Sequence, residues 1–312
     1  MKITADSMVC EIKHGESLLD AVKKLDLDMM SLASRPLAAQ IGGEVFNLRF
    51  TPKEDTQIHL LRYGEDMGRR VYERTLQFLF ILAMRKEFPR ARVCVRYSLG
   101  PGLFITVDGM EEPFNEEAAL KVETEMRRLV RLKLPLERRR ISIKEALSFY
   151  EQDGQADKAK LLKWRRFSYF DVYQIDGYMD YFYGEMAPDM SYADVFRVKY
   201  VHDGAVVLLM PRNDAPDVPS DYVDLPKLHA VFHQSDEWGK LMECATVNDL
   251  NTHIQNGTIR ELVRINEALH DRGYADIADK IVQKGAKAVL VAGPSSSGKT
   301  TSAHRISTQL RL

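Results

Sequence analysis

Apolar and polar positions along the chain fall into segments of two periods. Near the start, Met8-Val9-Cys10-Glu11-Ile12 roughly alternates, as a half-buried strand does. His14-Gly15 turns the chain, and Ser17 is placed to cap a helix running through Leu18, Leu19, Val22 and Leu25. Ala38-Ala39-Gln40-Ile41, then Gly42-Gly43, then Val45-Phe46-Asn47-Leu48 reads as a hairpin closed by a Gly-Gly turn. Residues 57 to 63 supply a last strand. Strand pair, helix and further strands is a β-grasp, ubiquitin-like order, so residues 1 to 63 are predicted to form a small mixed domain.

Residues 64 to 210 read as a larger α+β domain. Leu76, Leu79, Phe80 and Ala83 recur at helical spacing over residues 72 to 88, and Pro89 stops that helix. Val93-Cys94-Val95 and Leu103-Phe104-Ile105-Thr106-Val107 are strands around the turn Leu99-Gly100-Pro101-Gly102. Residues 115 to 132 form a long helix, and Ser142 with Glu145 makes a capping box for another. Two hairpins follow, one around Asp176-Gly177 and one around Asp203-Gly204. Residues 211 to 220 hold three prolines and read as a linker. Residues 221 to 286 read as helices, with Ser235, Asn248 and Thr258 as N-caps, Thr258 and Glu261 as a second capping box, and Gly257, Gly273 and Gly285 at helix ends.

The last segment carries the strongest chemistry. Ala288-Val289-Leu290-Val291-Ala292 is wholly apolar, which predicts a buried parallel strand, and residues 301 to 312 continue as a helix. Between them Gly293-Pro294-Ser295-Ser296-Ser297-Gly298-Lys299-Thr300 matches the phosphate-binding loop G-x-x-x-x-G-K-[ST]. Gly293 and Gly298 allow backbone conformations that a side chain would block. The amides of Ser295, Ser296, Ser297, Gly298 and Lys299 can then face phosphate oxygens, assisted by the following helix N-terminus. Lys299 supplies a mobile positive charge, and Thr300 a hydroxyl for Mg²⁺. The chain stops twelve residues after Thr300, so residues 287 to 312 are expected to be the opening of a kinase domain in a larger enzyme, either poorly ordered or packed opportunistically in isolation.

Bulk properties bound the remainder. The chain has 312 residues, 45% hydrophobic and 29% charged, which favours two or three soluble globular domains. A net charge of −1 gives no global field for nucleic acid or membrane. Cys10, Cys94 and Cys244 lie far apart, as reduced thiols of a cytoplasmic protein. The N-terminus has no apolar signal core, and the apolar stretch at residues 76 to 84 is too short to span a bilayer.

The order of parts resembles known families. Residues 1 to 63 resemble the TGS domain of threonyl-tRNA synthetases. Residues 64 to 210 resemble the adjoining editing-type domain, carried by Lys86-Glu87-Phe88-Pro89, by Leu134-Pro135-Leu136-Glu137-Arg138-Arg139 leading into Ser142-Ile143-Lys144-Glu145-Ala146, and by Tyr178-Met179-Asp180 with Gly184. The tail, extending to Thr301, resembles the opening of the uridine kinase and phosphoribulokinase family. Bacterial uridine kinase-like nucleoside kinases join these three parts. The resemblance implies an α+β architecture: a β-grasp TGS domain (1–63), a synthetase second-domain-like module (64–210), a linker and helical connector (211–286) and the first strand, loop and helix of a P-loop kinase domain (287–312).

It further implies transfer of the γ-phosphoryl of ATP, with Mg²⁺, to the 5′-hydroxyl of a uridine-type nucleoside. Gly293, Ser295 to Ser297, Gly298, Lys299, Thr300 and Thr301 would hold ATP; Lys299 would act on the reacting phosphates and Thr300 on Mg²⁺. The acceptor-activating residue would lie beyond Leu312, leaving the fragment inactive. The alternative is an RNA- or nucleotide-binding regulatory module derived from the synthetase N-terminal domains. The synthetase editing domain holds His-x-x-x-His and later a Cys and a His; the corresponding positions here are Arg74, Phe78, Phe182 and Met186. None can ligate as those residues do, so a filled, drier pocket is expected, with no editing and no zinc.

Three further patterns remain open. His229 and His233 share a helix face and, with Asp236 or Glu237, offer a zinc site; a solvent-facing helix is the competing reading. Arg127, Arg128, Arg131, Lys133, Arg138, Arg139 and Arg140 form either an RNA-facing stretch or, with Glu123, Glu125 and Glu137 between them, a solvated surface. The aromatic run Phe167, Tyr169, Phe170, Tyr173, Tyr178, Tyr181, Phe182 and Tyr183 is a stacking platform or a packed core.

Overall fold

The computed structural model describes residues 1 to 202 and 204 to 312, so Asp203 of the last expected hairpin turn lies outside the described residues. The chain is a mixed α+β protein that divides into two compact units, one of residues 1–154 and 166–230 and the other of residues 155–165 and 231–312. Neither residue 63 nor residue 210 separates them.

The first unit opens with β1 (Lys2–Ala5), β2 (Met8–Glu11), α1 (Leu18–Lys24), β3 (Ala38–Ile41), β4 (Glu44–Phe46) and β5 (Thr56–Leu61). The strands form one sheet in the order β2-β1-β5-β3-β4, with β1 parallel to β5 and the other pairs antiparallel. Ser17 caps α1 as expected: its hydroxyl accepts from the Asp20 amide, and the Asp20 carboxylate accepts from the Ser17 amide. Leu18, Ala21 and Val22 of α1 then bury against Ile3, Ala5, Ile58 and Leu60 of the sheet.

Then follow α2 (Asp66–Glu87), β6 (Arg92–Leu99), β7 (Gly102–Asp108), α3 (Glu116–Leu132), β8 (Arg138–Ser142) and α4 (Ile143–Gln152). After α5 (Ala156–Leu162), which belongs to the second unit, come β9 (Tyr169–Ile175), β10 (Tyr178–Asp180), a 3-10 turn at Met190–Tyr192, β11 (Arg197–His202) and β12 (Ala205–Leu209). β11-β12-β7-β6 is an antiparallel four-stranded sheet, and β10-β9-β8 a three-stranded one. Asn115 caps α3 by accepting from the Ala118 amide. Ser142 makes only the first half of its expected capping box, accepting from Glu145.

α2 is the spine of this unit. It starts at Asp66, six residues before the expected Tyr72, because its first turn is polar and carries no apolar period. Its buried residues, among them Tyr72, Thr75, Phe78, Leu79 and Leu82, point in several directions, so the helix is covered on more than one side. Polar ties from residues 1–63 close the same core. Asn47 Nδ2 donates to the Met186 carbonyl at 3.0 Å, Arg49 Nε to the Pro188 carbonyl at 2.7 Å, and Arg35 makes a two-pronged pair with Asp194 at 3.0 and 3.1 Å.

The linker expected at residues 211 to 220 is instead a packed ribbon, β13 (Pro211–Arg212) paired with β14 (Ala215–Pro219). Prolines are tolerated there because the ribbon has only two strands and each has an outer edge needing no donor. Tyr63 Oη donates to the Pro211 carbonyl at 2.7 Å, and the Asp217 carboxylate accepts from Ser31 Oγ and the Leu32 amide.

The helices after it are α6 (Pro226–Leu241), α7 (Val247–Gln255), α8 (Ile259–Gln283) and α9 (Lys299–Gln309). Ser235 lies inside α6, and α7 is capped by Thr246 in a box with Asp249 rather than by Asn248. Thr258 precedes α8, but its hydroxyl bonds back toward His253, so it does not cap. Gly273 lies within α8 rather than at its end.

The expected strand at residues 288 to 292 is not formed. A buried parallel strand needs partners on both sides; among the described residues no strand pairs with this segment, and Leu290 is 94% exposed. No helix among the described residues is long and apolar enough to cross a membrane.

Candidate functional site

Two places carry the residues singled out above. The first is built by α2 and the loop after β10. Arg74 and Phe78, one helical turn apart on α2, meet Phe182 and Met186. The Phe78 ring packs edge-on to Phe182 at 5.8 Å, stacks on Tyr178 at 6.2 Å, and lies 6.3 Å from Tyr173. Phe78 and Met186 are fully buried. Arg74 Nε donates to the Glu185 carbonyl at 2.9 Å, and burial lowers its pKa from the ordinary arginine value. Gly184 stands at φ +109°, where a β-carbon would lie 2.9 Å from the Arg74 guanidinium carbon, so the loop folds tightly over that side chain.

The backbone here is bonded within the protein. Ala187 donates to Thr75 Oγ1 at 2.9 Å, and Met186 donates to Tyr173 Oη at 3.0 Å. Burial pushes the Tyr173 hydroxyl above the usual tyrosine range, which keeps it neutral and able to serve both as donor and acceptor. The four positions expected to stand where a metal-binding editing site has its ligands are thus brought together, as an aromatic contact capped by an arginine. Zinc does not fit this set: two phenylalanines offer no donor atom and an arginine repels a cation. Among the described residues no group of three or more His, Cys, Asp or Glu could hold a metal ion.

The second place is the glycine-rich loop in the second unit. Gly298 stands at φ +79° and hands the chain into α9, whose first residue is Lys299. Ser296 is also in the left-handed region, at φ +59°. The loop curls enough that Lys299 Nζ donates to the Pro294 carbonyl, closing the turn. Gly293, Ser295, Ser297, Thr300 and Thr301 lie exposed beside it. Phosphate oxygens would fit this arrangement, because the start of α9 offers amides and a mobile ammonium at an open surface.

The other patterns resolve into ring contacts, ion pairs and, in part, exposed surface. Among the described residues His229 and His233 belong to no group of three or more ligands that could hold a metal ion. His229 instead lies 2.8 Å from Tyr97 Oη through Nδ1 and 3.0 Å from His202 Nε2 through its own Nε2. His202 was missed in the sequence, since 27 residues separate it from its partner and no local spacing marks the pair. In the basic stretch, Arg127 pairs with Glu123, Arg128 with Glu125, Arg138 with Asp171 and Glu185, and Arg140 with Asp171. Arg139 bonds Gln174, while Arg131 and Lys133 are exposed. Of the aromatic run, Phe170, Tyr173 and Tyr178 are buried, and Phe167 and Tyr183 are exposed. Cys10, Cys94 and Cys244 form no disulfide among the described residues.

No family model matches the chain. Curated relatives are threonine--tRNA ligases. That of Desulforamulus reducens is 26% identical over 163 residues, 52% of this chain and 25% of the relative. That of Acetivibrio thermocellus is 26% identical over 164 residues, with the same shares, and that of Carboxydothermus hydrogenoformans is 29% identical over 155 residues, 50% of this chain and 24% of the relative. About half of the chain is therefore similar to threonyl-tRNA synthetases, and the chain spans about a quarter of the length of these relatives. A match of 163 residues is longer than everything from residue 211 onward, so it reaches into residues 1 to 210.

Proposed function

We propose that the synthetase-like half of this chain is a non-hydrolytic module that binds RNA or a nucleotide. One observation carries this reading: Arg74, Phe78, Phe182 and Met186 come together in a packed site, and none of these four side chains supplies the histidine or cysteine ligands of a zinc site. Likeness to tRNA ligases without those groups favours retained recognition over retained hydrolysis. The sheet order β2-β1-β5-β3-β4 with α1 across it is a β-grasp arrangement and supports assigning residues 1–63 as TGS-like. In this reading the exposed Arg131 and Lys133, and the outward parts of Arg139 and Arg140, are the first candidates for phosphate contact.

The test is a gel shift with tRNA across a salt series, alongside a deacylation assay with mischarged Ser-tRNA. Binding that weakens steeply with salt, without accelerated deacylation, is the expected result. Deacylation above the spontaneous rate, lost in Arg74→Ala, would overturn the reading.

A second reading is favoured by a separate observation, the left-handed Gly298 leading into α9 with Lys299 at its first position. It is an ATP-dependent, uridine-type nucleoside kinase, in which Gly293, Ser295 to Lys299, Thr300 and Thr301 bind ATP and Thr300 helps to hold Mg²⁺. The kinase reading rests on this loop alone. The two readings are compatible: the module would report on its ligand to the nucleotide-binding segment.

A further inference from the structure

The first unit has a cleft that none of these sites uses. It opens beside the four-stranded sheet, between β11 and the segment from Tyr222 to His229, and encloses about 450 Å³, a size suited to a small organic ligand. One wall is made by the rings of Phe104, His202 and His229, backed by their contacts with one another and with Tyr97. Tyr97 and Phe104 stack at 5.0 Å with planes 9° apart, Phe104 meets His229 at 4.9 Å, and His229 meets His202 at 4.7 Å. Both nitrogens of His229 are within bonding distance of partners, Tyr97 Oη and His202 Nε2. That fixes its ring in the wall of the cleft. Tyr222 stands in the same lining, its hydroxyl donating to Asp224 Oδ1 at 3.1 Å.

The polar lining is mixed: the carboxylates of Glu116 and Asp224, the ammonium of Lys199, the hydroxyls of Tyr200 and Tyr222, and the imidazoles of His202 and His229. Two negative groups against one positive group oppose a phosphate. They suit a neutral, planar ligand that donates hydrogen bonds from an amino group and accepts one at a ring nitrogen or carbonyl. Aromatic faces of this kind hold bases by stacking. We propose that this cleft binds an uncharged nucleoside whose base carries an exocyclic amino group, the base lying against His229 and Tyr222, its amino group facing Asp224 or Glu116 and its acceptor facing Lys199. The proposal rests on the reading of this half as an RNA- or nucleotide-binding module and names a site and a ligand class for it.

The experiment is ligand-observed NMR and calorimetry on the full chain with cytidine, adenosine, uridine and cytidine 5′-monophosphate, with the tRNA gel shift run on the same samples. Cytidine or adenosine should bind more tightly than uridine, and the monophosphate more weakly than cytidine. His229→Ala and, independently, Asp224→Asn should each weaken binding about tenfold. The second variant keeps the test sound if the first disturbs the fold. Absence of nucleoside binding, binding that both variants leave unchanged, or tighter binding of the monophosphate would overturn the proposal. A tRNA shift that persists equally in both variants while nucleosides fail would sink the cleft and leave the module reading standing. Nucleoside binding without any tRNA shift would support the cleft and remove tRNA as the module's ligand.

Discussion

Lys299 holds the most direct chemical test at the scale of one residue. Its ammonium donates to the Pro294 carbonyl, inside its own loop. A triphosphate must exchange that neutral acceptor for charged oxygens, a gain because charge-assisted hydrogen bonds are the stronger kind. The gain is offset by exposure, since the residues around Lys299 are open to water and, among the described residues, no strand pairs with residues 288 to 292 to stiffen the loop. Mg-ATP binding is therefore expected to be weak, well above micromolar Kd, and seen as amide shifts at Gly293, Ser296 and Gly298 in an NMR titration. Lys299→Ala should weaken it by about tenfold to a hundredfold, the loss of one hydrogen bond to a charged group. Micromolar binding by calorimetry, or shifts that survive the substitution, would contradict this account of the loop.

Between elements, one histidine joins three pieces of chain. His59 on β5 places Nδ1 2.7 Å from Asp6 Oδ1, in the turn between β1 and β2, and Nε2 2.6 Å from Glu65 Oε2, at the N-terminus of α2. Arg62 Nη1 adds a contact to Asp6 at 3.3 Å. Hydrogen bonds to Glu65 and then Asp6 raise the His59 pKa above its usual value, burial opposing them. For Asp6, burial acts upward, but bonds from His59, the Leu60 amide and Arg62 outweigh it, and its pKa falls. The signs follow from linkage. The His59 contribution is complete below the unfolded pKa of about 6.5 and is lost as pH rises through the higher folded value. The Asp6 contribution is present above about 3.9 and is lost as pH falls through its lowered folded value. The difference in melting temperature between wild type and His59→Gln should thus peak near pH 5 to 6 and shrink toward pH 9. A difference that is flat over that range would remove the bridge. Elements of this kind were only partly legible in the sequence. Ser17 announced its helix, because a cap acts over three residues, and the spacing of Leu76, Leu79, Phe80 and Ala83 announced the middle of α2. The β13–β14 ribbon was hidden, because its prolines look like a linker until Tyr63 and Asp217 are seen to hold it. At the candidate site the four substituted positions were legible from the chain's resemblance. Tyr173, Thr75 and Asn47, which bond the same loop, were not, since their contacts cross more than ten residues of sequence each.

Across the whole molecule, the two units differ in how much apolar surface each removes from water. The first holds the large core around α2, joined by α3 and the four-stranded sheet. In the second, the buried apolar residues are Ala159, Leu162, Leu262, Ala278 and Ile306, while Leu241, Val247, Ile254, Val263, Val282 and Leu290 are exposed. Burial of apolar area is the main favourable term in folding, at about 25 cal/mol per Å², and helices this sparsely covered rely on propensity, caps and surface pairs worth a few tenths of a kcal/mol each. Arg305 with Asp271 and the Tyr274–Ser302 hydroxyl contact are of that surface kind. Local opening should therefore cost much less in the second unit than in the first. Hydrogen exchange read by mass spectrometry is expected to show α6 to α9 exchanging at least about tenfold faster than α2 and β12, and limited proteolysis to cut first beyond residue 230. If residues 288 to 292 fail to pair for want of neighbouring strands, they should be among the earliest sites cut, even though they are the most apolar run in that half. Protection of that segment equal to that of α2 would mean that its apolar residues are covered in solution, and the weak nucleotide binding argued from their exposure would no longer follow.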